Sequence, residues 1–291
     1  MKKSLVVLAT EQDEAFCDKY FEGIGPSGEM LLEYSVYDAI EAGFDQIVFI
    51  TTSDIQKIIK PPIKNRFGRL INMRWLGTEP PIFNLRKGIP NEKFTNNAYA
   101  LWKAKKHLNT PFLVINARYF YGKSIYRQAI KLLNQYDNDF AILNFPLGKT
   151  LSPYGCVDRT ICILEKGSDR LKKIVKLEKI RKVNGIINHA EIKNLALSEQ
   201  MLATTDIFCL NQHFFKAYEK MDNPRLGGVR PTDKKITIPF MLNHLVENNE
   251  AKAKALHVNS NWFSIRYKPE RTLAKDKIKN LIAKNLYSTL A

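Results

Sequence analysis

At 291 residues, 45% of them hydrophobic, the chain can bury a large core in one α/β domain with appendages or in two small domains. A formal net charge of +16, from 45 Lys+Arg against 29 Asp+Glu, predicts a surface that attracts anions such as phosphates, nucleotides, nucleic acid or acidic lipid. Its apolar runs fall short of the roughly 20 residues a membrane span needs, so no membrane partner is expected. The four cysteines have no Cys-x-x-Cys spacing, which argues against a zinc site and a disulfide framework and leaves cytoplasmic residence as the expectation.

In chain order, Leu5-Val6-Val7-Leu8-Ala9 reads as a first core strand. With Met1-Lys2-Lys3 ahead of it the stretch could pass for a signal peptide, but its apolar part is short and runs into Glu11-Gln12-Asp13-Glu14. The loop from Thr10 to Tyr20 holds four acids and no glycine, so it lacks the bare N–H groups that cradle a triphosphate and would repel one. Gly25-Pro26-Ser27-Gly28-Glu29 is a turn feeding an amphipathic helix that Gly43 closes. Gln46 to Thr52 is the second strand, and strand, helix, strand at this spacing predicts a right-handed parallel crossover. From Ile55 to Leu70 the pattern suggests a helix interrupted by Pro61-Pro62, with a short strand at Asn72 to Leu76.

Asn96-Asn97 stand where a helix over Ala98 to Ala104 would be capped. Phe112 to Ala117 then reads as a buried strand that ends abruptly at Arg118 and Tyr119, and carboxyl ends of strands are where open α/β sheets bind ligands. A helix follows at Ser124 to Gln135, then strands at Asp139 to Phe145, Cys156 to Cys162 and Met201 to Phe208, with Asp206 expected at a strand end. Ile238 to Val246 is a helix, Ala253 to Leu256 a strand, and Lys275 to Leu286 a closing helix with Ile278, Leu281 and Ile282 on one face. The basic clusters at Lys172-Lys173, Lys179 to Lys182, Lys234-Lys235 and Lys275 to Lys284 read as solvated faces.

Several of these segments together resemble the sugar-nucleotide pyrophosphorylases, a nucleotidyltransferase family with a GT-A-like fold. Val114-Ile115-Asn116-Ala117-Arg118-Tyr119-Phe120-Tyr121-Gly122 is similar to the family's Val-Ile-Asn-Ala-Asp-Asp-Phe-Tyr-Gly strand end. Gly25 to Gly43, Pro146-Leu147-Gly148-Lys149-Thr150-Leu151-Ser152, Cys156 to Cys162 and Asn261 to Arg271 carry further matches, so the likeness spans nearly the whole chain. It implies a three-layer α/β/α nucleotide-diphospho-sugar transferase-like fold with a mixed, mostly parallel sheet. The implied organisation is a single nucleotidyltransferase-like domain over 1–291, with 238–291 as a C-terminal strand-helix extension packed on it.

The family joins a sugar 1-phosphate to a nucleoside triphosphate with release of pyrophosphate, and a divalent metal, normally Mg²⁺, bridges the phosphate oxygens. The resemblance therefore implies a nucleotide or sugar phosphate as partner, with Mg²⁺ as cofactor if the chain is active and none otherwise. It places catalytic roles at Arg118 and Asp206 and substrate contacts at Asn96, Asn97, Asn116, Tyr119, Gly155, Arg159 and Lys176. No residue is assigned as a metal ligand, because Arg118 and Tyr119 replace the two acids of the family pattern. Lys176 stands where the pattern has glutamate, and Asp206 where it has asparagine.

Positions that shape the scaffold match the pattern, whereas ligand positions mostly do not, so metal-dependent nucleotidyl transfer is expected to be weakened or lost. An active transferase with a rearranged metal site is the alternative, and would need carboxylates such as Asp206, Glu270 and Asp158 within about 5 Å of one another. A basic module binding nucleic acid ranks last, lacking an aromatic-basic motif. For single residues simpler roles stand beside these: Arg118 as a surface cation, Tyr119 and Trp262 as packing aromatics, Asp206 as a turn cap.

Overall fold

A computed structural model of the protein describes residues 2–10, 21–78, 97–135, 139–189, 197–221 and 236–287. The expectations placed on residues 11–20, on Asn96 and on Lys234-Lys235 lie outside the described residues.

Strand β1 (Ser4–Ala9) is buried along its whole length because it lies between two parallel neighbours, β2 (Gln46–Thr51) and β4 (Phe112–Asn116), with helices over both faces. A strand covered on both faces reads as an unbroken apolar run. Between β1 and β2 the Gly25–Glu29 turn leads into helix α1 (Leu31–Ala42). The Ile24 and Gly25 N–H groups both donate to Glu29 O, and a Cβ on Gly25 would come 2.0 Å from Glu29 Oε2, so the backbone closes on itself only with glycine there.

Helix α2 (Ser53–Phe67) corrects one expectation: it runs through Pro61 and Pro62 without interruption. Ile55, Ile59, Ile63 and Phe67 are buried at a spacing of four, and packing of that stripe holds the helix together. The carbonyls the prolines leave without donors belong to Lys57 and Ile58, both exposed, where water can satisfy them.

Strand β3 (Asn72–Gly77) forms the sheet edge beside β2. After helix α3 (Asn97–Lys103), β4 and the two-residue strand β5 (Tyr119–Phe120) come helix α4 (Lys123–Asn134), strand β6 (Phe140–Pro146) and a single turn, α5 (Leu147–Thr150). Strands β7 (Val157–Leu164), β8 (Leu171–Val183) and β9 (Ile186–Asn188) make an antiparallel lobe, followed by β10 (Leu202–Leu210) and helix α6 (Gln212–Met221). Helix α7 (Ile238–Glu247), strand β11 (Ala253–His257), strand β12 (Phe263–Ser264) and helix α8 (Glu270–Ala283) complete the described chain. Helix α8 begins five residues before Lys275 because Glu270 receives the N–H groups of Arg266 and Tyr267 at its start.

The order β3-β2-β1-β4-β10-β7-β8-β9 defines the main sheet; β6 pairs with β10 and with β11. The β3-β2-β1-β4 block is parallel, as is β6 with β11, whereas β10 runs antiparallel to β4, β6 and β7. Alternate residues of β1 face opposite cores: Leu5 and Val7 pack with α1, α2, α4 and α8, while Val6 and Leu8 pack with α3, α6 and α7. This is the expected three-layer α/β/α arrangement with a mixed sheet. A third, smaller core lies between β7, β8 and β9, centred on Ile161, Leu177 and Ile180.

Strand β10 divides the sheet. Its first half, Leu202 to Thr204, pairs with β7; its second, Phe208 to Leu210, pairs with β4; the register shifts between them. Asp206 sits in that irregularity at φ 63°, inside β10, and not at the strand end expected of it. A bulge re-aims side chains and terminates pairing, so β4 ends facing a gap that opens toward β7.

Candidate ligand site at the carboxyl end of β4

Asn116, the last residue of β4, organises the gap. Its N–H donates to Tyr121 Oη at 3.1 Å, its Nδ2 donates to Asp206 Oδ2 at 3.2 Å, and its Oδ1 accepts the Arg118 N–H at 3.0 Å. The last contact is an Asx turn, which reverses the chain directly after the strand. Tyr121 is wholly buried and its hydroxyl donates to Thr205 O at 2.8 Å, tying the loop to the β10 bulge. Burial pushes the Tyr121 phenol well above its ordinary pKa, so it remains a donor.

The reversal sends Tyr119 and Phe120 into β5, which pairs antiparallel with Phe263 and Ser264 of β12. That pairing brings the C-terminal segment over the site. Trp262 lies 5.5 Å from Tyr119 and 6.2 Å from Phe145, ring centre to ring centre, and its buried Nε1 has no hydrogen-bond partner among the described residues. The Arg118 guanidinium stands 5.7 Å from the Tyr119 ring, and that of Arg159 stands 5.3 Å from the Trp262 ring.

Arg159, on β7, is the most deeply placed cation of the group, at 8% exposed. It donates to Thr150 O and Asp158 O, and among the described residues no carboxylate accepts a hydrogen bond from it. Burial lowers its pKa, and Arg266 opposes its charge further, while Tyr119, Asp206 and Asp158 favour it. A guanidinium stays charged under such a shift, so the site contains a desolvated positive charge that no carboxylate among the described residues hydrogen-bonds.

Arg118, Tyr119, Asn116, Asp206 and Arg159 lie around the β4 end. Gly155 lies at the margin: a Cβ there would come 2.4 Å from Tyr267 Oη, whose hydroxyl donates to Cys156 O at 2.6 Å, so glycine makes room for that ring. Two other residues are not brought in. Lys176 pairs with Thr160 across β7 and β8, one residue from the Arg159–Leu177 pair, so alternation puts it on the opposite face from Arg159, where it forms an ion pair with Glu178. Asn97 Oδ1 accepts the Ile238 N–H at 2.9 Å, joining α3 to the start of α7.

Trp262, Arg266 and Lys149 were not among the predicted site residues. Contacts across more than a hundred residues of chain place them, and only the match of Asn261 to Arg271 to the pyrophosphorylase pattern hinted at that segment.

The donors at the β4 end do not suit a magnesium ion, which wants oxygen ligands. Arg118 and Tyr119 occupy the strand end, and Asp206 already accepts the Asn116 amide. Asp158 accepts the Lys179 N–H at 2.9 Å and pairs with Arg266 at 3.7 Å, while the Glu270 oxygens accept from Ser152 Oγ, Arg266 N and Tyr267 N. Each candidate carboxylate thus has its own protein partners. Among the described residues no cluster of three or more His, Cys, Asp or Glu could hold a metal ion, and no helix is long and apolar enough to cross a membrane.

The chain has the fold of sugar-nucleotide and inositol-phosphate nucleotidyltransferases. It is similar to the inositol-1-phosphate CTP transferase from T. maritima (TM-score 0.62, 13% identity, 96% of each chain). It is also similar to a UDP-glucose pyrophosphorylase from Acinetobacter baumanii (TM-score 0.60, 14% identity, 98% of this chain and 99% of that one). At such identities the likeness establishes the fold. No protein-family model matches the sequence, and no curated protein matches it significantly.

Proposed function

We propose that this chain binds a nucleotide or sugar phosphate at the carboxyl end of β4, with metal-dependent nucleotidyl transfer weakened or lost. The observation that carries the reading is the buried Arg159, whose charge no carboxylate hydrogen-bonds among the described residues and which lies within electrostatic reach of Tyr119 and Asp206 at the strand end. Guanidinium groups suit phosphate oxygens, which they bind as bidentate forks. They fit a bound phosphate better than a transferring one, because a fixed cation cannot follow two oxygens as a metal does.

The test has a binding arm and a turnover arm. Calorimetric titration with nucleoside triphosphates and sugar 1-phosphates is expected to give saturable binding that Arg118→Ala weakens by about tenfold or more, the scale of one charge-assisted contact. Pyrophosphate release with Mg²⁺ or Mn²⁺ is expected to stay at the level of Arg118→Ala. Turnover well above that level would overturn the loss of transfer and favour an active enzyme with a rearranged metal site. Absence of any nucleotide or sugar phosphate binding would overturn the whole reading.

A further inference from the structure

A pocket adjoins the β4 end without including Asn116, Arg118, Tyr119 or Asp206. It lies between the α5 turn and the β12–α8 segment, and Lys149, Arg159, Arg266 and Lys277 all line it. Glu270 is the carboxylate in its lining, and both its oxygens are engaged: Oε1 by Ser152 Oγ at 2.6 Å, Oε2 by the Arg266 and Tyr267 N–H groups at 2.6 and 2.9 Å. Asp158 reaches Arg266 from outside the lining at 3.7 Å. Lys277 rests with Nζ 5.0 Å from the Phe263 ring centre, and neither it nor Lys149 forms an ion pair among the described residues. Four cations thus converge on one cavity, one of them a guanidinium that is 8% exposed, and the neighbouring carboxylates offset only part of their charge. A desolvated cation with other cations beside it is unfavourable unless an anion completes the group.

We propose that this pocket receives a second anionic group of the bound ligand, so that the substrate class is a sugar phosphate bearing a further phosphate or carboxylate. The inference rests on the reading given above. Arg159 and Trp262 make the connection: both line this pocket, while Trp262 touches Tyr119 and Arg159 senses Tyr119 and Asp206 at the β4 end. One phosphate at Arg118 and a second acidic group at Lys149, Arg266 and Lys277 would share Arg159 between them. A neutral sugar would leave the second group of cations without a counter-ion.

Three probes test this by calorimetry: glucose 1-phosphate, glucose 1,6-bisphosphate and glucuronic acid 1-phosphate. At least one doubly anionic probe is expected to bind about tenfold or more tightly than glucose 1-phosphate, and whichever it is assigns phosphate or carboxylate as the second group. In the double variant Lys149→Gln, Lys277→Gln, both exposed positions, that preference should fall to within about twofold, while Lys254→Gln on β11 should keep it. Equal affinity of all three probes in the unaltered protein overturns the second-anion site and leaves the reading at β4 standing. A preference that survives the double variant also overturns it, because the extra group is then bound elsewhere. Failure of all three probes to bind overturns it too, and a parallel nucleoside triphosphate titration tells whether the reading at β4 falls with it.

Discussion

The Asn116 side-chain amide donates to the Asp206 carboxylate at 3.2 Å, across the point where β4 and β10 stop pairing. The antiparallel register that sets Val114 opposite Phe208, continued by two residues, sets Asn116 opposite Asp206. Where the backbone ladder fails, a side-chain bond continues it, and Asp206 takes the left-handed conformation that aspartate tolerates better than most residues.

Asn116→Ala removes the donor to Asp206 and the acceptor for the Arg118 N–H together. With two half-buried groups each losing a hydrogen bond, a loss of about 1 kcal/mol is expected on denaturant unfolding. A change within experimental error would mean that the turn holds without the asparagine.

Trp262 packs against Tyr119, Phe145 and Arg159 but buries an indole N–H that has no acceptor among the described residues. Trp262→Phe keeps most of the packing and removes the unsatisfied donor, so its stability should lie within about 1 kcal/mol of the original, whereas Trp262→Ala should cost about 3 kcal/mol or more. Equal losses in the two variants would show that the N–H has a partner in solution.

Asp38 is 2% exposed on α1, and burial raises its carboxyl from 3.8 to about 7, against the lowering effect of the Tyr287 hydroxyl bonded to it at 2.7 Å. Its folded form holds a proton that its unfolded form releases, so between about pH 4 and 7 this group removes stability as pH rises, with a slope of up to about 1.4 kcal/mol per unit. Asp38→Asn should abolish that part of the pH dependence in urea unfolding measured from pH 4.5 to 7.5. Parallel profiles for the two proteins would exclude Asp38 as its source.

Pro61 is exposed inside α2, where a backbone N–H would complete the helical ladder to Lys57. Pro61→Ala is expected to raise stability by about 1–3 kcal/mol, read as an increase in Tm. A decrease would indicate that the proline's restriction of the unfolded chain outweighs the bond it forfeits.

Local pattern was enough for the parallel half of the sheet. The Val/Ile-rich runs at Leu5, Gln46 and Phe112 are buried on both faces, and the Gly25–Gly43 turn and helix follow from glycines, of which Gly28 and Gly43 hold the positive φ that other residues rarely adopt. The end of β4 was legible for the same reason: the apolar run stops at Asn116 and gives way to Arg118 and Tyr119. Pro61 and Pro62 misled, because their effect on a helix depends on whether the freed carbonyls face water, and burial alone decides that.

Asp206 could not be placed from its own neighbourhood either. Its role depends on β10 changing partners from β7 to β4, and a register shift leaves no local mark. Lys176 and Arg159 were both expected at the substrate, and strand alternation puts them on opposite faces. The sequence by itself determined the layers, the central strands and the cationic character of the β4 end, since these rest on composition and periodicity along the chain. Only the tertiary structure decided that β12 folds back on β5, carrying Trp262 and Arg266 to Arg159, because that pairing joins residues more than a hundred positions apart.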